Sequence, residues 1–297
     1  MLFFCPSMSR NADRLVKPMQ PNFLTLVAAA SVVFSGCSTV PTTVPPPIQV
    51  PIELRSGMPT ATVSIAGEPL RLFVDLAGYN AVALTEAELQ RVPVRFLAEP
   101  IRSTNAAGEI YESRRFVAPD VWLGGVALGD LEGSEFIFPP TAAPPDRNGY
   151  IGFGLLSRFL IVLDYRSGFL RLYPTGSADA LLRECGPKTF AIDIVDGVPQ
   201  SIAETDHGRV VFSWDTGSRR SVIRPSIVGT VLQRGSDRDG APSHRIEKFV
   251  LGGRELGPQT FLLIDYRGIT VDGVLGTDFF ASRVVCLDAA RGVGAIR

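Results

Sequence analysis

The chain of 297 residues carries one sequence pattern twice, and this repeat limits its possible folds more than any other feature. Each copy has a Gly-x-Pro unit, at Gly57–Pro59 and at Gly197–Pro199, followed at the same spacing by an aspartate, Asp75 or Asp215. Two further pairs of matching blocks follow in the same order: Leu123–Gly125 with Leu251–Gly253, and 148–168 with 272–292. The separation of matching residues falls from 140 to 128 to 124 positions, which indicates one duplicated unit with shorter loops in its second copy.

The repeat predicts a body of two lobes with the same architecture. Residues Thr62–Ile65 alternate between polar and apolar and then reach a turn at Ala66-Gly67, which is typical of a β-hairpin. Val210–Trp214 matches the apolar strand that leads to the first aspartate. Short helices are expected only at 86–91 and 178–183. We therefore predict an all-β, bilobal chain, divided as follows: lobe one 53–176, a link 177–187, and lobe two 188–297.

The first 37 residues have the pattern of a bacterial export signal. Arg10, Arg14 and Lys17 precede a mainly apolar run of twelve residues, 23–34, which is shorter than the roughly 20 needed to cross a membrane as a helix. The following Phe34-Ser35-Gly36-Cys37 resembles a lipobox, although phenylalanine stands where leucine is usual. The resemblance implies that Cys37 is acylated and becomes the mature N-terminus. A secreted protein that is cleaved nearby is the alternative.

The residues that follow this cysteine indicate where the protein is held. Ser38 is not the aspartate associated with retention in the inner membrane, so the resemblance implies an outer-membrane lipoprotein that faces the periplasm. Its contact with the lipid bilayer is then the acylated Cys37. Residues 38–52 contain five prolines and no charged residue, which predicts an extended, semi-stiff tether.

Two of the four cysteines remain for the folded body. Cys5 lies in the segment that signal cleavage would remove, and Cys37 is assigned to the lipid. In an oxidising periplasm Cys185 and Cys286 are able to form a disulfide. Two separate buried thiols are the alternative, because Cys286 lies in an apolar run.

Composition argues against several classes of function. The chain has 29 basic and 30 acidic residues, a net charge of −1 and no basic run, so nucleic-acid binding is not expected. The two histidines and four scattered cysteines have no spacing typical of metal ligands. No serine or cysteine has a set of His and Asp around it that would favour nucleophilic catalysis. We expect neither a metal nor a cofactor.

The second copy carries the motif with the clearest chemical meaning. Asp215-Thr216-Gly217-Ser218 follows an apolar strand, and Val274-Leu275-Gly276 comes 59 residues after the aspartate. This combination resembles the retropepsin-like and pepsin-like aspartic proteases, in which an Asp-Thr-Gly loop packs under a hydrophobic-hydrophobic-Gly segment. The counterparts in lobe one are Asp75 and Tyr150-Ile151-Gly152. The resemblance covers nearly all of residues 55–297 and implies an acid-protease-like fold made of two retropepsin-like lobes in one chain.

The resemblance implies a pair of catalytic carboxylates, Asp75 from lobe one and Asp215 from lobe two. Two carboxylates in close contact share one proton. The charged one polarises a water molecule toward the scissile carbonyl, and the neutral one donates a proton to the carbonyl oxygen. The implied activity is cleavage of an extended peptide or protein substrate by a monomer. Two alternatives stay open: a protein that binds peptides without cleaving them, and a homodimer that pairs Asp215 of two chains.

Lobe one departs from the family directly after its aspartate, where Leu76 and Ala77 replace Thr or Ser and Gly. In the family this hydroxyl bonds across the lobes. Leu76 cannot make that bond, and we expect it to leave the partner group of Thr216 unmet, at a cost of about 1–3 kcal/mol if buried. Ala77 adds a Cβ where glycine allows close approach or a positive φ. Asp75 therefore belongs either to an asymmetric but working pair or to a lapsed enzyme, unless it only caps nearby backbone amides at its strand end.

Hairpin flaps are expected over the cleft. In lobe one, residues 103–109 have the composition of a turn, including Asn105 and Gly108. In lobe two, residues 235–240, which end at Gly240, occupy the comparable place. Flaps would exclude water over a bound extended peptide. Polar hairpin loops without this role are the alternative.

Four other polar residues are assigned structural or surface positions. Asp164 and Asp288 end equivalent strands and are expected to stabilise turns. His207 lies in a hairpin turn and His244 in a polar loop, and both are expected at the surface.

Overall fold

The computed structural model describes residues 46–105, 108–137, 148–229 and 240–297, together with the backbone of two short strands, Phe3–Phe4 and Gly235–Ser236. Cys37 and residues 38–45 of the predicted tether lie outside the described residues. Strands dominate the described part of the chain, and the all-β prediction is confirmed. They form one sheet in each lobe, a central sheet between the lobes, and a small flap sheet.

The lobe-one sheet has eight strands. In spatial order they are Glu53–Arg55, Met58–Ile65, Glu68–Asp75, Gly149–Gly152, Val82–Leu84, Val126–Glu135, Arg115–Leu123 and Arg95–Phe96. The predicted hairpin is present: Ala66 and Gly67 both have positive φ, as tight turns between twisted strands require. Alternate residues of the strand that leads to Asp75 face the core, since Leu70, Leu72 and Val74 are at most 1% exposed.

The lobe-two sheet repeats this plan. In spatial order its strands are Gly235–Ser236, Pro242–Ile246, Gln259–Leu263, Val222–Ile223, Gly273–Leu275, Gly208–Trp214, Val198–Thr205, Phe249–Leu251 and Arg254–Glu255, and Asp193–Val195 pairs with Val198–Thr205. The core of this lobe is aromatic. Phe212, Phe249 and Phe261 are fully buried, with ring centroids 5.3–6.0 Å apart.

The central sheet shows the pseudo-twofold relation of the lobes. In spatial order its strands are Phe190–Ala191, Val293–Ile296, Val284–Asp288, Phe159–Asp164, Phe169–Pro174 and Ile48–Pro51. The two middle strands, one from each lobe, are antiparallel and place Val162 opposite Cys286. The two edge strands are themselves repeat partners, because residues 50 and 190 are 140 positions apart. The duplication therefore builds one continuous sheet from strands of both lobes.

One segment boundary differs from the sequence prediction, and the predicted link contains the short helix that the sequence indicated. The strand Ile48–Pro51 lies inside the predicted tether 38–52, so the folded body begins before residue 53. The predicted link 177–187 contains the helix Ala178–Cys185, which packs on the central sheet. Both segments acquire their structure from pairing or packing with residues far away in the chain.

The remaining helices are short. They are Glu86–Leu89, Phe153–Leu156, Pro225–Val228, Thr277–Phe280 and the 3-10 turn Ala289–Arg291. No helix in the described part of the chain is long and apolar enough to span a membrane. Cys185, at the end of the link helix, forms a disulfide with Cys286 of the central sheet, which decides between the two possibilities that the sequence left open.

Candidate active site

Each candidate aspartate stands at the end of a buried strand. Asp75 ends its strand opposite Gly152, in parallel pairing with Gly149–Gly152. Asp215 directly follows a strand that pairs in parallel with Gly273–Leu275, and its N–H donates to the Leu275 carbonyl at 2.9 Å. In both lobes the aspartate therefore lies beside the hydrophobic-hydrophobic-Gly segment.

Glycine is required where these segments meet the aspartate loops. A Cβ on Gly152 would lie 2.4 Å from the carbonyl oxygen of Gly78, in the loop after Asp75. A Cβ on Gly276 would lie 2.6 Å from the carbonyl oxygen of Arg220, in the equivalent loop of lobe two. Any side chain at either glycine would displace the loop that carries the carboxylate.

The two aspartate loops meet across the lobes. A Cβ on Gly217 would lie 2.5 Å from Oδ2 of Asp75, so the backbone of Gly217 packs directly against that carboxylate. Asp75 also acts on Asp215 through its charge. The pKa of Asp215 is raised to about 8, first by burial and then by repulsion from Asp75. The structure thus brings together the two carboxylates that the repeat singled out.

The two carboxylates have different surroundings. Asp215 is 2% exposed, and its Oδ2 makes no hydrogen bond to any residue that the structure describes. Asp75 is only partly buried, and its Oδ1 accepts a hydrogen bond of 2.8 Å from the Ala77 N–H. Backbone N–H donors from Gly217 and Ser218 lower the pKa of Asp215, but its burial, which disfavours the charged form, is the larger effect. Asp215 is therefore the member of the pair that favours the neutral form.

The Thr216 hydroxyl of lobe two links the two aspartate loops, and the equivalent residue of lobe one, Leu76, has no hydroxyl group. Its hydroxyl donates to the Val74 carbonyl at 2.6 Å and accepts from the Leu76 N–H at 3.0 Å. We expected Leu76 to leave a hydrogen-bonding partner of Thr216 unmet. For the Thr216 hydroxyl this expectation is wrong, because both of its partners in lobe one are main-chain groups. The Leu76 side chain instead joins the hydrophobic core, where it is 1% exposed.

Ala77 fits its position without strain. It is not among the described residues with positive φ, so the expected conflict with glycine-like backbone does not arise. Its side chain is 2% exposed and belongs to an apolar cluster whose other members all come from lobe two. These members are Val198, Val222, Tyr266, Ile269, Val271 and Val274. The extra methyl group of lobe one thus packs across the lobe interface.

Side-chain hydrogen bonds that the sequence did not predict stabilise the aspartate loop of lobe two. The Thr277 hydroxyl donates to the Thr216 carbonyl at 3.0 Å. The hydroxyl and the N–H of Ser221 both donate to Oδ1 of Asp278, at 2.7 and 2.8 Å. Ser218, a predicted loop residue, donates from its hydroxyl to the Arg220 carbonyl at 2.8 Å. Comparison along the repeat could have revealed these hydrogen bonds, because lobe one has Ala81, Phe153 and Gly154 in place of Ser221, Thr277 and Asp278.

Hairpins occur at both predicted flap positions. In lobe one, Ile101–Asn105 pairs with Ile110–Ser113, and a Cβ on Gly108 in the intervening turn would lie 3.4 Å from the Cβ of Arg267 in lobe two. This hairpin, called the flap below, therefore reaches across the cleft. The Asn105 side chain and residues 106–107 lie outside the described part. In lobe two, Gly235–Ser236 pairs with Pro242–Ile246, and Gly240 is exposed with φ +79°.

The other polar candidates lie outside the aspartate pair. Asp164 accepts hydrogen bonds from the Arg166 and Ser167 amides, as expected of a turn residue. His207 and His244 contact each other through Nε2 atoms 2.9 Å apart, and His244 is 7% exposed, so the prediction of a surface position for His244 is wrong. No group of three potential metal ligands occurs among the described residues.

No protein-family model matches this chain, and no curated protein does. Solved structures share its fold. Basic 7S globulin from soybean matches with a TM-score of 0.50 at 13% identity, over 84% of this chain and 94% of that one. Conglutin gamma, a basic 7S globulin from lupine seeds, matches with a TM-score of 0.53 at 12% identity, over 85% and 95%. An aspartic proteinase from Irpex lacteus matches with a TM-score of 0.55 at 12% identity, over 84% and 96%.

These similarities concern the fold. At 12–13% identity they show an acid-protease-like, bilobal architecture that extends over most of the chain, and the predicted fold class is confirmed. The three similar structures are one aspartic proteinase and two basic 7S globulins. The activity of this chain must therefore be argued from its own site.

Proposed function

We propose that the chain is an aspartic-type endopeptidase in which Asp75 and Asp215 act as one carboxylate pair. The observation that supports this most is the contact between the lobes: the Gly217 backbone packs on the Asp75 carboxylate, while Asp215 is buried with a raised pKa. Close carboxylates that share one proton supply an acid and a base at the same place. This is the chemistry that hydrolysis of an amide needs.

The unequal surroundings assign the two roles. Asp75, ionised, removes a proton from a water molecule while the water oxygen attacks the scissile carbonyl carbon. Asp215, neutral, donates its proton to the carbonyl oxygen, which gives a tetrahedral diol. The proton on Asp75 then passes to the amide nitrogen as the C–N bond breaks, and one diol hydroxyl returns its proton to Asp215. Both carboxyl groups end in their starting states.

The raised pKa of Asp215 sets the upper limit of the active pH range. The pair keeps its proton up to a pH of about 8, because ionising Asp215 would place a second negative charge beside Asp75 in a buried site. We therefore expect activity at neutral pH and a decline above about pH 8. Activity that is confined to strongly acidic conditions would contradict this protonation state of the pair.

Cleavage of a mixed peptide library by the purified full chain, between pH 4 and 9, tests the proposal. The key variant is Asp215→Asn, and the matched control is Asp179→Asn, an exposed aspartate on the link helix. We expect cleavage by the wild type and by the control, none by Asp215→Asn, and inhibition by a statine-type peptide. Cleavage that survives in Asp215→Asn, or no cleavage by the folded wild type, would contradict the proposal.

A second candidate function is peptide binding without cleavage. The observation that favours it is the sequence after Asp75, where Leu76 and Ala77 replace the hydroxyl residue and glycine of the family pattern. A lapsed enzyme would bind statine-type peptides in the cleft and leave the library intact. The same experiment therefore separates the two functions.

We also propose that the chain acts in the cell envelope as a lipoprotein that is anchored in the outer membrane through acylated Cys37. The support is the sequence around this cysteine and the proline-rich residues after it. Metabolic labelling with an alkyne fatty acid should label the wild type and leave Cys37→Ala unlabelled. Equal labelling of both forms would contradict acylation at this cysteine.

A further inference from the structure

Tyr79 lies where three parts of the molecule meet. It belongs to the loop of Asp75, four residues after the carboxylate. Its hydroxyl is hydrogen bonded to the hydroxyl of Ser103, in the first strand of the flap. On the lobe-two side, a Cβ on Gly197 would lie 3.4 Å from the Cβ of Tyr79. One side chain therefore contacts the catalytic loop, the flap and the opposite lobe.

The surroundings of this hydroxyl are polar and partly buried. Ser103, Ser113 and Ser134 are 3–4% exposed and line a cavity of about 10 Å³ together with Tyr79. The Asn80 amide donates to the Ser134 hydroxyl at 2.6 Å. Buried hydroxyl groups need hydrogen-bond partners, and removing one partner leaves the other with a desolvation penalty. The link between Tyr79 and Ser103 therefore opposes separation of the flap from the catalytic loop.

Lobe two has only part of this arrangement. Arg219 is the repeat partner of Tyr79 and likewise faces the opposite lobe, since a Cβ on Gly57 would lie 3.3 Å from its Nε. Arg219 is exposed, however, and no hydrogen bond links it to a flap strand among the residues that the structure describes. The contact with the opposite lobe is common to both copies, whereas among the described residues the hydroxyl link to a flap is present in lobe one alone.

We propose that Tyr79 is a positioning residue that fastens the base of the flap to the loop of Asp75. The far end of the flap lies against lobe two, where Gly108 approaches Arg267. Fastening the base therefore holds the hairpin between the loop of Asp75 and lobe two. The catalytic part of this inference depends on the proposed endopeptidase function: closure over a bound peptide strengthens binding, so Tyr79 acts on KM more than on kcat.

Hydrogen exchange of the flap amides tests the fastening without any need for activity. In the full chain, Tyr79→Phe and Ser103→Ala should each accelerate exchange across Ile101–Asn105 and Ile110–Ser113 by about 5-fold, the effect of losing one ordinary hydrogen bond. The double variant should exchange no faster than the faster single variant, because both changes remove the same link. Tyr173→Phe, which removes a tyrosine hydroxyl from Glu184 beside the central sheet, should leave the flap unchanged.

Unchanged flap exchange in Tyr79→Phe, or additive effects in the double variant, would overturn the inference. With a cleaved peptide in hand, Tyr79→Phe should raise KM about 5-fold and leave kcat within about 2-fold of the wild type. A fall in kcat with unchanged KM would also overturn it. A wild type that cleaves nothing would refute the endopeptidase proposal alone, since the exchange experiment would still decide the role of Tyr79.

Discussion

The two aspartate loops have the same backbone plan and are stabilised in different ways. In lobe two, side-chain hydrogen bonds stabilise the loop: the Thr277 hydroxyl donates to the Thr216 carbonyl, and the Ser221 hydroxyl donates to the Asp278 carboxylate. In lobe one, Leu76 donates its N–H to Thr216 and packs its side chain in the hydrophobic core. The Tyr79 hydroxyl is hydrogen bonded to Ser103 of the flap. In this molecule one loop therefore carries the hydroxyl of the Asp-Thr-Gly motif, and the other supplies main-chain partners to it.

The largest difference between the two loops is expected when the residues at the equivalent positions 77 and 217 are exchanged. Gly217→Ala should lower kcat/KM at least about 100-fold, because its Cβ would lie 2.5 Å from Oδ2 of Asp75 and must displace the carboxylate. Ala77→Gly should retain activity within about 3-fold and lose about 1 kcal/mol of stability, the contribution of one buried methyl group. Steady-state kinetics and urea unfolding measure both effects. Equal activity of the two variants would show that the loops are interchangeable.

A second test compares the loss of the Thr216 hydroxyl in lobe two with the loss of the Leu76 side chain in lobe one, where the main-chain N–H remains. Thr216→Val removes two buried hydrogen bonds and should cost about 2–4 kcal/mol of stability together with about 10-fold in kcat. Leu76→Ala should cost a similar 2–5 kcal/mol through the cavity it leaves, yet keep kcat within about 3-fold because the N–H remains. Denaturant unfolding and kcat are compared for the two variants. A large loss of kcat in Leu76→Ala would mean that its side chain, too, supports the pair.

A third test, which concerns stability and not catalysis, is a pH-dependent gain in stability for Asp215→Asn. The native state holds the Asp215 proton up to a pH of about 8, whereas the unfolded chain releases it near 3.8, so wild-type stability falls as pH rises between these values. Asparagine removes this penalty. The Tm of Asp215→Asn should therefore match the wild type at pH 3.5 and exceed it by a margin that grows steadily up to pH 8. A constant difference across this range, with Asp179→Asn as the control, would refute the raised pKa.

The repeat allowed much of the molecule to be predicted from sequence. The equal distance from the Gly-x-Pro unit identified Asp75 and Asp215 as partners, and the last pair of matching blocks identified the Gly152 and Gly276 segments, because duplicated strands must occupy equivalent places. The role of Thr216 toward lobe one was missed in part, since its partners are backbone groups that every residue possesses. No sequence pattern reveals such a partner.

Other features were beyond sequence reasoning because they depend on contacts between distant residues. The strand Ile48–Pro51 has the composition of a spacer and becomes a strand only by pairing with 169–172. The link helix was expected as a short helix, but its disulfide to Cys286 spans 101 residues. The bond between Tyr79 and Ser103 joins two ordinary polar residues that no motif connects.

The central claim is that Asp75, despite the two unusual residues after it, works as half of a catalytic pair. The most direct test is the rate of peptide cleavage by Asp75→Asn, measured at pH 6 beside the wild type and an Asp179→Asn control. We expect a loss of at least about 1,000-fold, because asparagine cannot remove the proton from the attacking water. Activity of Asp75→Asn within about 10-fold of the wild type would contradict the account and favour an Asp215 pair formed by two chains.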